Sequence, residues 1–142
     1  MTATPSPHRW PRSIVAVFAG LITIVALSIV TDLILHRTGV FPLPGQPMTN
    51  GLWLLAACYR AAYGVAACYL TARLAPGRPT LHAIVLGAIG TALGTVGTVA
   101  TWDRGPGFGP HWYPIAVALM PLPCAWLGAA LHGMSSRAHP AA

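Results

Sequence analysis

The chain has no lysine and no glutamate, and its only acids are Asp32 and Asp103. Charged residues make up 7% of the sequence, against about a quarter in an ordinary soluble domain, which excludes a water-covered globular surface. All the cations besides histidine are arginines, eight of them, and they give a formal net charge of +6. A basic excess can mark nucleic-acid binding, but here the arginines stand at the edges of apolar runs and form no stripe interleaved with aromatics. Cysteine is scarce as well. Cys58, Cys68 and Cys124 lie inside apolar segments without a C-x-x-C, so they read as small buried hydrophobes and not as a disulfide framework or an exposed redox pair. No G-x-S-x-G, H-E-x-x-H or P-loop occurs, so enzyme activity has no support and no metal is expected.

What remains is 55% hydrophobic. Crossing a hydrocarbon core takes about 20 apolar residues at about 1.5 Å rise each, and four segments meet that demand: 13–35, 50–73, 80–101 and 114–133. Pro11 precedes the first, Thr49 and Asn50 offer caps to the second, and Pro79-Thr80 opens the third. The first segment, with Arg9 and Arg12 before it, is similar to an export signal. Its apolar run exceeds the roughly 7 to 15 residues of a signal core, so we read it as a retained anchor. Residues 1–12 and 134–142 read as short polar extensions with little fold of their own.

Arginine is held back on the cytoplasmic side of short loops. Arg9, Arg12, Arg73, Arg78 and Arg137 fall on one side and Arg37 and Arg104 on the other, so both termini are expected in the cytoplasm. Phe41, Trp53, Trp102, Phe108, Trp112 and Tyr113 are then expected to form an interfacial belt at the outer boundary. Helices in lipid associate through small residues and hydrogen bonds. Gly87, Gly90, Gly94 and Gly97, beside Thr91, Thr95 and Thr98, mark the third span as the expected central packing helix. Pro121 and Pro123 leave backbone carbonyls of the fourth span without donors and predict a kink that faces protein or water. Such kinks can line a binding site, although a simple bend is the plainer reading.

Arg60 stands near the middle of the second span, about 13 Å below the outer boundary at helical rise. A guanidinium facing lipid there would cost at least about 3 kcal/mol, so it is expected to face the bundle or water. Asp32 on the first span lies about 6 Å below the same boundary. Side chains lean toward the N-terminus of their helix. The two spans run in opposite directions, so these side chains approach each other. Ser28, Asp32 and His36 continue a polar stripe to the surface. Both acids, Asp32 and Asp103, together with His36, Arg60, Arg104 and His111, thus collect in the outer half. Two readings follow: an ion pair that fixes helix register, or a water-accessible cavity in which Asp32 or His36 exchanges a proton. His82 and His132 lie at the boundaries, where haem ligation is not expected.

Thr31-Asp-Leu-Ile-Leu-His36 with Gly39-Val-Phe-Pro42, Tyr59-Arg-Ala-Ala-Tyr63 with Ala72-Arg-Leu-Ala-Pro76, and Gly105-Pro-Gly-Phe-Gly-Pro-His-Trp-Tyr-Pro114 with Leu122-Pro-Cys-Ala-Trp126 together resemble a group of small four-span bacterial membrane proteins with no established activity. The resemblance covers most of residues 13–133 and implies no functional residues. The expectation is therefore an all-α, four-helix transmembrane bundle of the bacterial cytoplasmic membrane. Its expected role is that of a non-enzymatic accessory or assembly component, without cofactor, whose partners are the lipid bilayer and a second copy or another membrane protein. The alternative is a small proton-linked transporter or channel using Asp32.

Overall fold

The computed structural model describes residues 9–138 and is all-helical over them. The elements are α1 (Arg9–Arg37), α2 (Asn50–Leu74), α3 (Pro79–Thr101), α4 (Trp112–Leu119) and α5 (Pro121–Ala138), with a single 3-10 turn at Pro106–Phe108. Four helical stretches are long and apolar enough to cross a membrane, the fourth being α4 and α5 together.

Helix boundaries follow from local chemistry. α1 starts earlier than expected because Pro11 falls in its first turn, where the missing N–H would have had no intrahelical acceptor. It ends where Gly39 turns left-handed at φ +75°, letting Phe41 N–H fold back onto the Leu35 carbonyl at 2.9 Å. Thr49 occupies the N-cap of α2 in extended conformation but makes no side-chain cap bond. Pro79 opens α3 at its first helical position. α5 runs past Gly133 to Ala138, with the Ser136 hydroxyl donating to the His132 carbonyl at 3.0 Å. The expected terminal extensions are thus helical over 9–12 and 134–138, and the remainder of both lies outside the described residues.

The helix pair α4–α5 is broken at Met120 alone, directly before Pro121. Pro121 and Pro123 cannot donate to the carbonyls of Val117 and Leu119. α3 covers this break. A Cβ on Gly87 would stand 2.9 Å from the Pro121 carbonyl oxygen, and one on Gly94 would stand 3.2 Å from that of Val117. Gly90 makes the same close approach to the Pro121 ring, whereas Gly97 has nothing within 4 Å. Three of the four glycines therefore seat α3 on the broken helix, and the fourth borders open space.

The centre of the bundle is α2 and not, as expected, α3. Ala56, Ala57, Gly64, Ala67, Cys68, Thr71 and Ala72 are all buried on α2, whereas α3 buries only Ala83, Leu86 and Gly87. The reason is geometric. The α3 glycines line one face, while small residues surround α2 on several sides. Gly20 of α1 meets Thr71 and Leu86, Gly64 meets Cys124, and Gly128 of α5 meets the α2 backbone at Tyr69 and Val65. The tight core gathers Ala67, Cys68, Ala72, Ala83, Leu86, Ala125 and Ala129, with the fully buried Thr71 hydroxyl donating to the Ala16 carbonyl at 3.2 Å. This core occupies the end of the bundle nearer the chain termini. Toward the two long loops the helices part.

Candidate functional site

Where the helices part, Asp32 and Arg60 meet across the α1–α2 interface. Arg60 Nη2 donates to Asp32 Oδ2 at 2.6 Å. Its Nη1 donates to the Tyr59 hydroxyl at 2.9 Å and to the Ala56 carbonyl at 3.4 Å, and the Tyr59 hydroxyl donates in turn to Asp32 Oδ1. Both carboxylate oxygens are engaged, and a closed ring of three side chains results. The guanidinium carbon also stands 5.0 Å from the centroid of the Tyr59 ring, within reach of a cation–π attraction. One turn nearer the core, Thr31 and Tyr63 form a second polar rung between the same helices at 2.8 Å. The pair is only partly covered, with side-chain exposures of 25% for Arg60 and 31% for Asp32.

His36 continues the stripe but does not touch the carboxylate. Its Nδ1 bonds the main-chain carbonyl of Asp32 at 2.7 Å; a carbonyl only accepts, so that nitrogen carries the proton. The His36 ring meets the edge of Phe41 at 5.4 Å. Asp103, Arg104 and His111 form a separate group on the α3–α4 loop. Arg104 Nε–H donates to the Ala100 carbonyl at 3.0 Å, the His111 ring stacks on Trp102 at 4.5 Å, and Asp103 is exposed. The expected six-residue cluster is therefore two groups. Loop residues follow turn geometry, which helical spacing does not encode.

Two cavities meet at the Asp32–Arg60 pair. The smaller, about 150 Å³, lies on the loop side beneath Phe41–Gln46 and includes His36. The larger, about 670 Å³, runs down the seam between α1 and α3 with α2 as its floor and α4 along its edge. Asp32, Trp53, Arg60, Gly107 and Tyr113 border both. Below the pair the wall is almost wholly apolar, with Ile24, Ile29, Leu93, Val117 and Met120 among its residues. Gly97 and Pro121 line this cavity, whereas Pro123 is exposed and does not. Asp103, Arg104 and His111 border neither cavity.

Sequence spacing alone does not mark Tyr59, Trp53 and Tyr113 as part of the polar site. Trp53 packs against Tyr113 at 4.6 Å and against the backbone of Gly109, and its buried indole N–H has no hydrogen-bond partner among the described residues. Phe41 is buried and Trp53 is half-buried. Trp102, Phe108 and Trp112 are exposed. Cys68 and Cys124 are buried and Cys58 is exposed, all as free thiols. Among the described residues no three His, Cys, Asp or Glu side chains are grouped as metal ligands. Comparison of the chain with protein-family models, with curated proteins and with solved structures gives no match.

Proposed function

We propose that this chain is a non-enzymatic multi-pass component of the bacterial cytoplasmic membrane, an accessory or assembly subunit whose Asp32–Tyr59–Arg60 ring fixes the register of α1 on α2. The observation that carries this reading is the closure of the ring: each carboxylate oxygen has its own donor, and the guanidinium charge is matched at 2.6 Å. A satisfied pair of this kind tolerates a cation that lipid would reject. The partner is another membrane protein or a second copy, and the termini lie in the cytoplasm. Arg12, Arg73, Arg78 and Arg137 at the terminal end, against Arg37 and Arg104 at the other, support that sidedness.

The test is a rescue. Asp32→Asn leaves the guanidinium without its counter-charge and is expected to lower stability by about 1–3 kcal/mol, the cost of an unsatisfied polar group. Adding Arg60→Met removes the orphaned charge and is expected to restore part of the loss, read as folded yield and unfolding midpoint in detergent. Parental stability in the single variant would refute the tie.

A second reading, a small proton-linked transporter or channel, is favoured by one observation: Asp32 and Arg60 border both cavities. In that reading Asp32 carries the proton. Proton uptake by vesicles containing the protein, abolished by Asp32→Asn in a folded variant, would decide for it.

A further inference from the structure

The larger cavity is lined along two helices. On α1 its wall is Leu21, Ile24, Val25, Ser28, Ile29 and Asp32, one helical stripe of about 16 Å at 1.5 Å per residue. The facing stripe on α3, from Leu86 to Thr101, runs about 22 Å. Two parallel stripes of this length enclose space for an extended chain. The volume of about 670 Å³ also lies within the range of about 300–1,000 Å³ common to small-molecule pockets.

The head of the cleft has a different character. Arg60 commits N–H groups to Asp32, Tyr59 and Ala56, which leaves its Nε–H and second Nη2–H free of those three acceptors. The Tyr113 hydroxyl accepts from the same guanidinium, taking one of these, and brings an O–H of its own. Asp32 offsets the charge of Arg60, so this end offers donors without net charge. Phe108, Trp53 and Tyr113 add flat aromatic surface around it.

Depth narrows the choice further. Asp32 lies five residues from the end of α1 and Arg60 ten from the start of α2, about 8 Å and 15 Å along their helices. A phosphate head drawn that far in would have to shed water against a site with no net charge to receive it. A neutral carbonyl acceptor on a flat ring, attached to a long apolar chain, matches donors, charge, aromatic wall and shape together.

We propose that the cleft binds a prenylated quinone, its chain along the α1–α3 seam and a ring carbonyl beside Arg60 and Tyr113. This goes beyond the structural tie, which holds whether or not the cleft is occupied.

The test uses full-length protein in detergent and a decyl-substituted benzoquinone, with binding followed by the unfolding midpoint and by tryptophan fluorescence. Saturable binding is expected. Gly97→Leu is expected to weaken it at least about tenfold, or about 1.4 kcal/mol, because a side chain there enters open space in the cleft. Val25→Phe fills the opposite wall and provides a second blocking variant should the first fail to fold. Tyr113→Phe is expected to weaken binding about two- to tenfold through loss of one hydrogen bond. The proposal is overturned if the quinone does not bind, or if a folded blocking variant binds as the parent does. It is overturned too if phosphatidylglycerol displaces the quinone, which would make the cleft a lipid-filled seam. None of these outcomes depends on the Asp32–Arg60 rescue, so the two readings fail separately.

Discussion

Tyr59 and Arg60 are consecutive, so a helix sets their side chains about 100° apart, yet both reach the Asp32 carboxylate. They do so because the long, flexible arginine swings back over the Tyr59 ring while the tyrosine hydroxyl extends across the interface. Removing that hydroxyl with Tyr59→Phe leaves Oδ1 and one Nη1–H to find other partners. An expected destabilisation of about 1.5–3 kcal/mol, the range for hydrogen bonds to charged groups, would appear as a lower unfolding midpoint in detergent. A double-mutant cycle of Tyr59→Phe with Asp32→Asn should then show coupling of about 0.5–3 kcal/mol, since the two side chains share one network. Simple additivity would place Tyr59 outside the ring. At this scale the sequence disclosed the charges but not the phenol. Two opposite charges on antiparallel spans, each leaning toward its own N-terminus, predict their meeting. A tyrosine beside an arginine in sequence gives no sign of sharing its face. The four-residue step from Tyr59 to Tyr63, set against Thr31 and Asp32, is the signal that would have found it.

Among the helices, what decides packing is which backbone a glycine admits. Gly128 of α5 lies so close to α2 that a Cβ would stand 2.7 Å from the Tyr69 nitrogen and 2.8 Å from the Val65 oxygen, and neither can move without moving the helix. Gly128→Ala is therefore expected to cost about 1–3 kcal/mol through overpacking. Gly133→Ala, five residues on in the same helix with nothing within 4 Å, should instead gain up to about 1 kcal/mol from helix propensity. Opposite shifts of the unfolding midpoint would separate contact from propensity, and equal shifts would refute the α2–α5 crossing. The four spans were legible in length and hydropathy because each must cover its backbone along an apolar path. The identity of the central helix was not. The glycine run of α3 is conspicuous in sequence but one-sided in space, whereas the burial around α2 comes from alanines, a cysteine and a threonine that no periodic motif announces. The prolines of the fourth span predicted the break at Met120. That α3 glycines would cover the freed Val117 carbonyl depends on tertiary register.

Taken as a whole, the molecule is asymmetric along its axis. One end is packed through Ala16, Thr71, Ala83 and Leu86 and carries Arg12, Arg73, Arg78 and Arg137; the other is opened by two cavities and carries the long loops with Arg37 and Arg104. If arginine retention sets sidedness, the tight end faces the cytoplasm and the cleft head faces outward. Site-directed labelling tests this directly in a background where Cys58, Cys68 and Cys124 are replaced by alanine. Gln46→Cys, exposed on the α1–α2 loop, is expected to react with a membrane-impermeant maleimide in intact cells whose outer layers admit the reagent. Ser135→Cys, exposed near the end of α5, should react only after the cytoplasmic membrane is opened. The reverse pattern would place the cleft head on the cytoplasmic side. Labelling of both positions in intact cells would mean dual insertion. Replacing Arg73 and Arg78 with glutamine removes two of the four described arginine side chains at the tight end, and with Arg37 and Arg104 kept it should move the pattern toward dual labelling. A distribution unmoved by that charge change would show that something other than arginine balance orients the bundle.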